Sequence, residues 1–390
     1  MAAALAASFA AAGGAAVLLR PRDGLITPSP VRADEHFSAE ELRRLRAYRR
    51  PQRRLGLAAG LVELGLLGAL AARPPRALRR ARPAAAGAVL SVALTAAPLP
   101  LRAMARRRAR DAGLITQSWG GWAGDLGKAG VIGGALAAGG AEVAALLMRR
   151  LPRAWWLPGA GAAVAAGAAA AFAGPVLLDP LFNRFERLEE GALRRDVLAL
   201  ADAAGVRVGE VYVGDASRRT TAANAYVTGL GATKRVVLYD TLLDRFEPDE
   251  TRLVVAHELA HVRFRDVHRA LAFTALVAPA AAWAVAGLVA RAAPGGGASA
   301  LPALSLAIAA VGAPVGIVSN VLSRRVENRA DAFALRLTGA VDPFVSFERR
   351  IVLQNLGDPD PPRLLHVLFG THPSTVERIG IARAYEKGVR

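Results

Sequence analysis

Two histidines and a glutamate form the strongest chemical signal in this sequence. His257, Glu258 and His261 make an HExxH motif inside the mostly apolar run 255–262. On an α-helix, His257 and His261 lie one turn apart on the same face, so both imidazoles can reach one metal ion. Glu258 lies about 100° around the helix, where its carboxylate can hold a metal-bound water without being a ligand. The motif predicts a zinc hydrolase site with an open position for water and a carboxylate base.

A third metal ligand must come from elsewhere, and it is not cysteine, because the chain contains none. Glu327 and Asp331 lie one helical turn apart and face the same way. A glutamate ligand followed by an aspartate at i+4 suits a zinc site, because the aspartate can accept the N–H of a ligating histidine. The alternative is a solvated charged face in which these acids pair with Arg324, Arg325 and Arg329. We favour the zinc site, because the HExxH motif lacks a third ligand.

Long apolar segments predict a chain that crosses a membrane several times. Residues 1–19, 154–178, 270–290 and 295–323 contain no charged residue, and each is about long enough to cross a hydrocarbon core of about 30 Å. Three weaker candidates are 55–72, 85–101 and 119–148. The alternative is a soluble, alanine-rich bundle, but uncharged runs of this length are rare in soluble folds. We therefore predict a mainly α membrane protein with about seven transmembrane helices.

The net charge of +18 comes almost wholly from arginine, and the arginines cluster between the apolar segments. Basic loops beside membrane helices explain this pattern better than a nucleic-acid-binding face, so we expect no nucleic-acid partner. With seven spans, fifteen loop arginines lie on the side of the HExxH segment and nine on the other. This distribution predicts an active site that faces the cytoplasm, with the cell membrane as the expected location.

The order of these segments predicts four regions. They are an N-terminal transmembrane region of about five helices at 1–178, a catalytic segment with HExxH at 179–269, a two-helix membrane hairpin at 270–323 and a C-terminal catalytic segment with ExxxD at 324–390.

Inside the first catalytic segment, the pattern predicts a helix over 188–204 and strands over 208–213, 224–228 and 235–239. Asp244 or Asp249 is the expected cap of the HExxH helix. Gly229, Gly231 and Lys234 superficially suggest a phosphate loop, but the flanking strands favour a hairpin turn.

Several segments together resemble one known family. The run NAYVTGLGATKRVVLYDTLL at 224–243, the HELAH at 257–261, the ExxxD at 327–331 and THPS at 371–374 occur in the order typical of the type 1 CAAX prenyl protease family. Further similar segments are TQSWGGW at 116–122, PLFNRF at 180–185 and DASRR at 215–219. The resemblance therefore covers roughly residues 116–380, and the first hundred residues share only the helical hydropathy. Members of this family are integral-membrane zinc metalloendopeptidases.

The resemblance implies a fold, a cofactor and roles for individual residues. It implies seven membrane helices around an internal chamber, with a zincin-like (gluzincin) α+β catalytic domain that carries a small sheet. His257, His261 and Glu327 would hold one zinc ion per chain. Glu258 would take a proton from the zinc-bound water as it attacks the scissile carbonyl and pass it to the leaving amine.

Three further residues match functional positions of the family. Asp331 closes the ExxxD motif and is assigned either to proton donation or, as we favour, to the orientation of a ligating histidine. Asn224, on a predicted edge strand, would grip the backbone of an extended substrate. His372 would stabilise the oxyanion, although a structural role is an equal alternative.

Taken together, the sequence predicts a membrane-embedded zinc metalloendopeptidase that acts on membrane-associated or CAAX-type protein substrates. Its expected partners are a peptide or protein substrate and the lipid bilayer. The main alternative is a catalytically weak membrane factor that uses the same fold for binding or protein quality control. A soluble secreted metalloprotease is a third possibility, which the apolar spans on both sides of the HExxH segment oppose.

Overall fold

The computed structural model describes residues 2–228 and 234–388, which are mostly helical. The helices of the first half are α1 (Ala2–Leu19), α2 (Ala33–His36), α3 (Ala39–Ala72), α4 (Arg76–Arg80), α5 (Pro83–Ala96), α6 (Leu99–Asp111), α7 (Trp119–Arg150), α8 (Trp156–Leu177) and α9 (Asp179–Phe182). Those of the second half are α10 (Ala192–Ala203), α11 (Asp240–Leu243), α12 (Pro248–Arg263), α13 (Asp266–Ala292), α14 (Leu301–Thr338), α15 (Val341–Gln354), α16 (Arg363–Phe369) and α17 (Thr375–Glu386). The strands are β1 (Phe185–Arg187), β2 (Glu210–Gly214), β3 (Ala225–Thr228) and β4 (Arg235–Tyr239).

The described chain has the helices of a multi-pass membrane protein. Five helices are long and apolar enough to span a membrane, namely α3, α7, α8, α13 and the helix that contains α14. The pair α5 and α6 passes the same test together but bends by 44° between Ala96 and Leu99, where Pro98 and Pro100 interrupt regular helix packing. Helix α1 is a shorter apolar helix. These elements correspond to the seven predicted spans, so the predicted membrane fold is confirmed at this level.

Two of the membrane helices pack closely at a glycine, and five of them line a cavity. Helices α5 and α7 approach so closely at Gly87 that a Cβ atom there would lie 2.5 Å from the carbonyl oxygen of Ala137. An apolar cavity of about 710 Å³ lies between α5, α7, α8, α13 and α14. Large apolar side chains such as Val131 and Leu136 remain exposed on the outside of α7, as a lipid-facing surface requires.

The small sheet has an exposed edge beside the HExxH helix. The strand order is β1-β2-β4-β3, in which β2 and β4 run parallel and β3 pairs antiparallel with β4. β3 is therefore an edge strand, as the sequence predicted, and Asn224 lies one residue before it. The helix expected over 188–204 begins later, at Ala192, and ends before Gly205. The glycine turn expected at 229–231 falls outside the described residues.

The HExxH helix α12 lies at the centre of the catalytic core. Its buried residues Val255, Ala256 and Leu259 pack in one cluster with residues from the sheet, α14 and α17. Its N-terminal cap is Glu247, whose side chain forms a reciprocal capping box with Glu250. The prediction of Asp244 or Asp249 as the cap was wrong, because Pro248 begins the helix and makes the residue before it the cap.

Helix α14 connects the membrane region to the catalytic core without a break. Its 38 residues extend roughly 57 Å, so the region boundary expected between residues 323 and 324 falls inside a continuous helix. The chain that follows α1 is bound along this helix, because Asn328 both donates to and accepts from the backbone of Ile26. The hairpin of α13 and α14 thus returns the chain to α12.

Candidate active site

Two histidines and a glutamate converge on one point between α12 and α14. His257 Nε2 lies 3.1 Å from Glu327 Oε2 and 3.2 Å from His261 Nε2. His261 Nε2 lies 3.7 Å from Glu327 Oε1. The structure therefore brings together the three residues that the sequence analysis selected as metal ligands, although 70 residues separate His257 from Glu327.

The donor atoms of this group fit a metal ion. The Nδ1 atoms of His257 and His261 each face an aspartate carboxylate, at 2.8 and 3.1 Å respectively, and so carry the proton. Both Nε2 atoms then present lone pairs to each other and to Glu327, an arrangement that a bound metal cation would stabilise. Zinc ligands at 2.0–2.1 Å in tetrahedral geometry lie about 3.3 Å apart, close to the distances found here. The residues present therefore fit zinc.

Small side chains permit the close approach of α12 and α14 that this geometry needs. Ala256 and Ala260 on α12 and Ala330 and Ala334 on α14 are completely buried. Because alanine adds little bulk at a helix crossing, the two helices can bring side chains on one face of each into direct contact. The small apolar residues that flank HExxH on α12 and ExxxD on α14 therefore allow the polar residues of the two motifs to meet between the helices.

Asp331 lies behind the metal ligands rather than beside them. Its Oδ1 is 2.8 Å from His257 Nδ1, on the opposite side of the imidazole from Glu327. Its side chain is fully buried and accepts two hydrogen bonds from Arg378, at 2.5 and 2.8 Å. From this position Asp331 can fix the ring and tautomer of His257, but it does not line the pocket beside Glu258.

Asp266 is a residue that the sequence analysis missed. Its Oδ2 lies 3.1 Å from His261 Nδ1, and its Oδ1 accepts from Arg329 at 2.6 Å and from Arg269 at 3.2 Å. Arg265, just before it, has a left-handed backbone with φ of 54°, which ends α12 and turns the chain back toward the site. Each ligating histidine is thus held by its own aspartate. The sequence did contain a signal for this contact, an acidic residue five positions after His261. Helical spacing alone does not predict the contact, however, because the chain leaves α12 before Asp266.

Glu258 faces an open pocket next to the ligands. Among the described residues no protein donor forms a hydrogen bond to its carboxylate, which leaves the oxygens available to a water molecule. Burial raises the pKa of the Glu258 carboxyl, and the neighbouring His257 and His261 oppose this shift. A carboxyl with a raised pKa beside a metal site suits a group that accepts and then donates a proton.

The remaining two predicted residues line the same pocket, whose volume is about 210 Å³. His372 Nε2 lies 3.4 Å from Glu327 Oε2, and 59% of its side chain is exposed. Asn224 is exposed, and its backbone oxygen accepts from Tyr239 of β4. The pocket also contains Arg378, a second residue that the sequence analysis did not select.

Comparison with known proteins assigns the chain to a family. Residues 187–386 match the model of peptidase family M48. The chain belongs to peptidase family M48. It is also 32% identical over 308 residues to the uncharacterized metalloprotease YhfN of Bacillus subtilis, a match that covers 76% of this chain and 72% of that protein. The chain is accordingly a metalloprotease, and the matched region includes the two histidines and the glutamate described above.

M48 relatives with assigned names support the resemblance seen in the sequence. CAAX prenyl protease 1 of Saccharomyces cerevisiae is 40% identical over 103 residues, which cover 26% of this chain but only 23% of that protein. The crystal structure of Ste24p from S. mikatae has the same fold, with a TM-score of 0.77 over 97% of this chain and 98% of that chain at 21% identity. The resemblance to the type 1 CAAX prenyl protease family is confirmed.

Proposed function

We propose that this M48 protein is a membrane-embedded zinc endopeptidase that hydrolyses peptide bonds in membrane-associated or CAAX-type protein substrates. The observation that carries the proposal is the convergence of three lone pairs, from His257, His261 and Glu327, beside a Glu258 carboxylate that accepts no hydrogen bond from the described residues. Two imidazoles, one carboxylate and an open side are the donor set of a catalytic zinc site.

The bound zinc would polarise the scissile carbonyl and make a water molecule acidic at neutral pH. Glu258 accepts the proton of the attacking water, because its carboxylate has no competing protein donor in the described chain. It then returns the proton to the leaving amine. Asp331 and Asp266 hold the two imidazole rings in position, since each carboxylate accepts a hydrogen bond from the Nδ1–H group of its histidine.

Two residues at the rim are suited to bind the substrate. Asn224 lies one residue before the edge strand β3, whose free side can pair with an extended peptide backbone. The exposed His372 imidazole lies on the open side of Glu327 and can donate a hydrogen bond to the developing oxyanion. Asp266 and Glu327 lie on the same helices as two candidate membrane spans, which favours a substrate near the membrane. The loop arginine count favours a site that faces the cytoplasm.

The test combines metal analysis with one substitution at Glu258. The purified protein in detergent should contain one zinc per chain, and Glu258→Gln should keep the zinc while peptide turnover falls by about 10²–10⁴-fold. Asp249→Asn is the matched control, because this exposed carboxylate lies on the same helix but away from the pocket. Full activity in Glu258→Gln would contradict the proposed base.

The substrate class needs a separate measurement. Comparison of new protein N-termini in membranes from cells that carry the wild type or Glu258→Gln should reveal cleavage of membrane-associated proteins. Parallel assays with prenylated and unprenylated forms of one peptide would show whether a lipid chain matters. If the wild type binds zinc but cleaves nothing in either assay, the alternative of a catalytically weak binding or quality-control factor would replace the proposal.

A further inference from the structure

A buried charge cluster lies behind the catalytic residues and joins three helices. Glu348 on α15, Asp331 on α14 and Arg378 on α17 meet there. Arg378 directs Nε and Nη2 to Asp331, and its Nη1 lies 2.8 Å from Glu348 Oε1. Glu348 is 1% exposed and Asp331 is completely buried. One guanidinium therefore serves two buried carboxylates.

We propose that Glu348 is a positioning residue of the catalytic centre that acts through Arg378 and Asp331 on His257. The inference rests on the proposed zinc peptidase function, which gives the orientation of His257 its purpose. The path is a continuous series of contacts of 2.5–2.8 Å from Glu348 through Arg378 and Asp331 to His257 Nδ1.

The geometry explains why Arg378 needs a second carboxylate. The planar guanidinium forms a two-point contact with Asp331 through Nε and Nη2, which leaves Nη1 as the remaining donor group of a mostly buried cation. Glu348 Oε1 lies 2.8 Å from Nη1, and the centre of the Phe344 ring lies 5.8 Å from the guanidinium carbon. With these contacts the guanidinium plane is fixed, and with it the carboxylate of Asp331 that orients His257.

A role in stability alone does not account for Glu348. Burial raises the pKa of its carboxyl to about 7, although the charge of Arg378 opposes this shift. A carboxyl whose pKa is raised on folding destabilises the folded state at any pH above its unfolded pKa. An apolar side chain of similar size would fill the same space without this cost. Because Asp331 would still pair with Arg378, Glu348→Leu leaves no buried charge without a partner and should remain folded.

The test is a double-mutant cycle read out by zinc affinity and by kcat/KM. Zinc affinity is measured by competition with a chelator, which does not depend on turnover. Glu348→Leu should lower both quantities by about 10-fold, the lower limit for residues behind metal ligands. Glu348→Gln should recover only part of the loss, because its amide oxygen can take the place of Glu348 Oε1 beside Arg378 but carries no negative charge. Adding Glu348→Leu to Arg378→Gln should cause no further loss, since the path is already broken.

Glu250→Leu is the matched control for the loss of a buried carboxylate. Glu250 is 2% exposed, caps α12 together with Glu247 and pairs with Arg350 of α15 at 2.6 Å. Among the described residues, its hydrogen bonds and ion pairs do not involve Asp331 or His257. This variant should lose stability and keep its zinc affinity. Wild-type zinc affinity in Glu348→Leu, or additive losses in the cycle, would overturn the inference alone. A wild-type protein that binds no zinc would instead overturn the proposed function and the inference together.

Discussion

Substitution of Asp266 tests whether His261 depends on its aspartate partner for metal binding, as we expect His257 to depend on Asp331. Asp266→Asn keeps the size of the side chain but removes its charge and one of its two acceptor oxygens. In the native site one oxygen faces His261 and the other faces Arg329 and Arg269. A single amide oxygen can serve only one of these sides, so either His261 or the arginines lose their partner.

The expected losses of zinc affinity and of folding stability follow from the partners of the two carboxylate oxygens. Loss of a carboxylate behind a metal-ligating histidine lowers metal affinity by about 10–100-fold, or about 1.4–2.7 kcal/mol. Arg329, which is 7% exposed, loses its anion, and a broken buried ion pair costs about 3–5 kcal/mol. We expect the lower part of that range, because the Arg329 guanidinium keeps its position 4.0 Å from the centre of the Phe264 ring.

Zinc affinity and stability should be measured separately on the same protein in detergent. Chelator competition gives the affinity, and unfolding of the zinc-free protein gives the stability. Asp34→Asn is the matched control, because Asp34 also pairs with an arginine, at 2.6 Å, but in an exposed position, where such pairs contribute little. Wild-type zinc affinity in Asp266→Asn would refute the reasoning, even if the variant were destabilised, because it would show that His261 needs no support.

Two further predictions concern the third ligand and the membrane topology. Glu327→Ala should lose zinc at concentrations that saturate the wild type, because only two protein ligands remain; metal analysis that finds full occupancy would remove Glu327 from the site. A reporter fused after Arg390 should be cytoplasmic and one inserted near Pro294 external, because of the arginine distribution between the loops; an external C-terminus in protease-protection assays would reverse the orientation.

Local patterns in the sequence by themselves determined the faces of the motif helices, the membrane helices and one strand of the sheet. The HExxH and ExxxD motifs each depend on one helical turn, so the shared face of His257 and His261 and that of Glu327 and Asp331 follow from helix geometry. The apolar runs likewise predict the membrane helices, because the bilayer selects them by length and composition alone. Strand β4 has the predicted bounds, Arg235–Tyr239, because its apolar residues form a short run between polar residues of the sequence.

Only the tertiary structure decided which of these faces meet and what supports them. His257 and Asp331 are 74 residues apart, and they touch because the hairpin of α13 and α14 folds back on α12. Asp266 reaches His261 through a left-handed turn at Arg265. Neither the hydrophobic pattern nor the residue type at position 265 predicts this backbone conformation. Glu348 and Arg378 come from separate helices with no shared motif. Helical periodicity specifies the face of one helix, whereas contacts between helices depend on how buried apolar surfaces from the whole chain pack together.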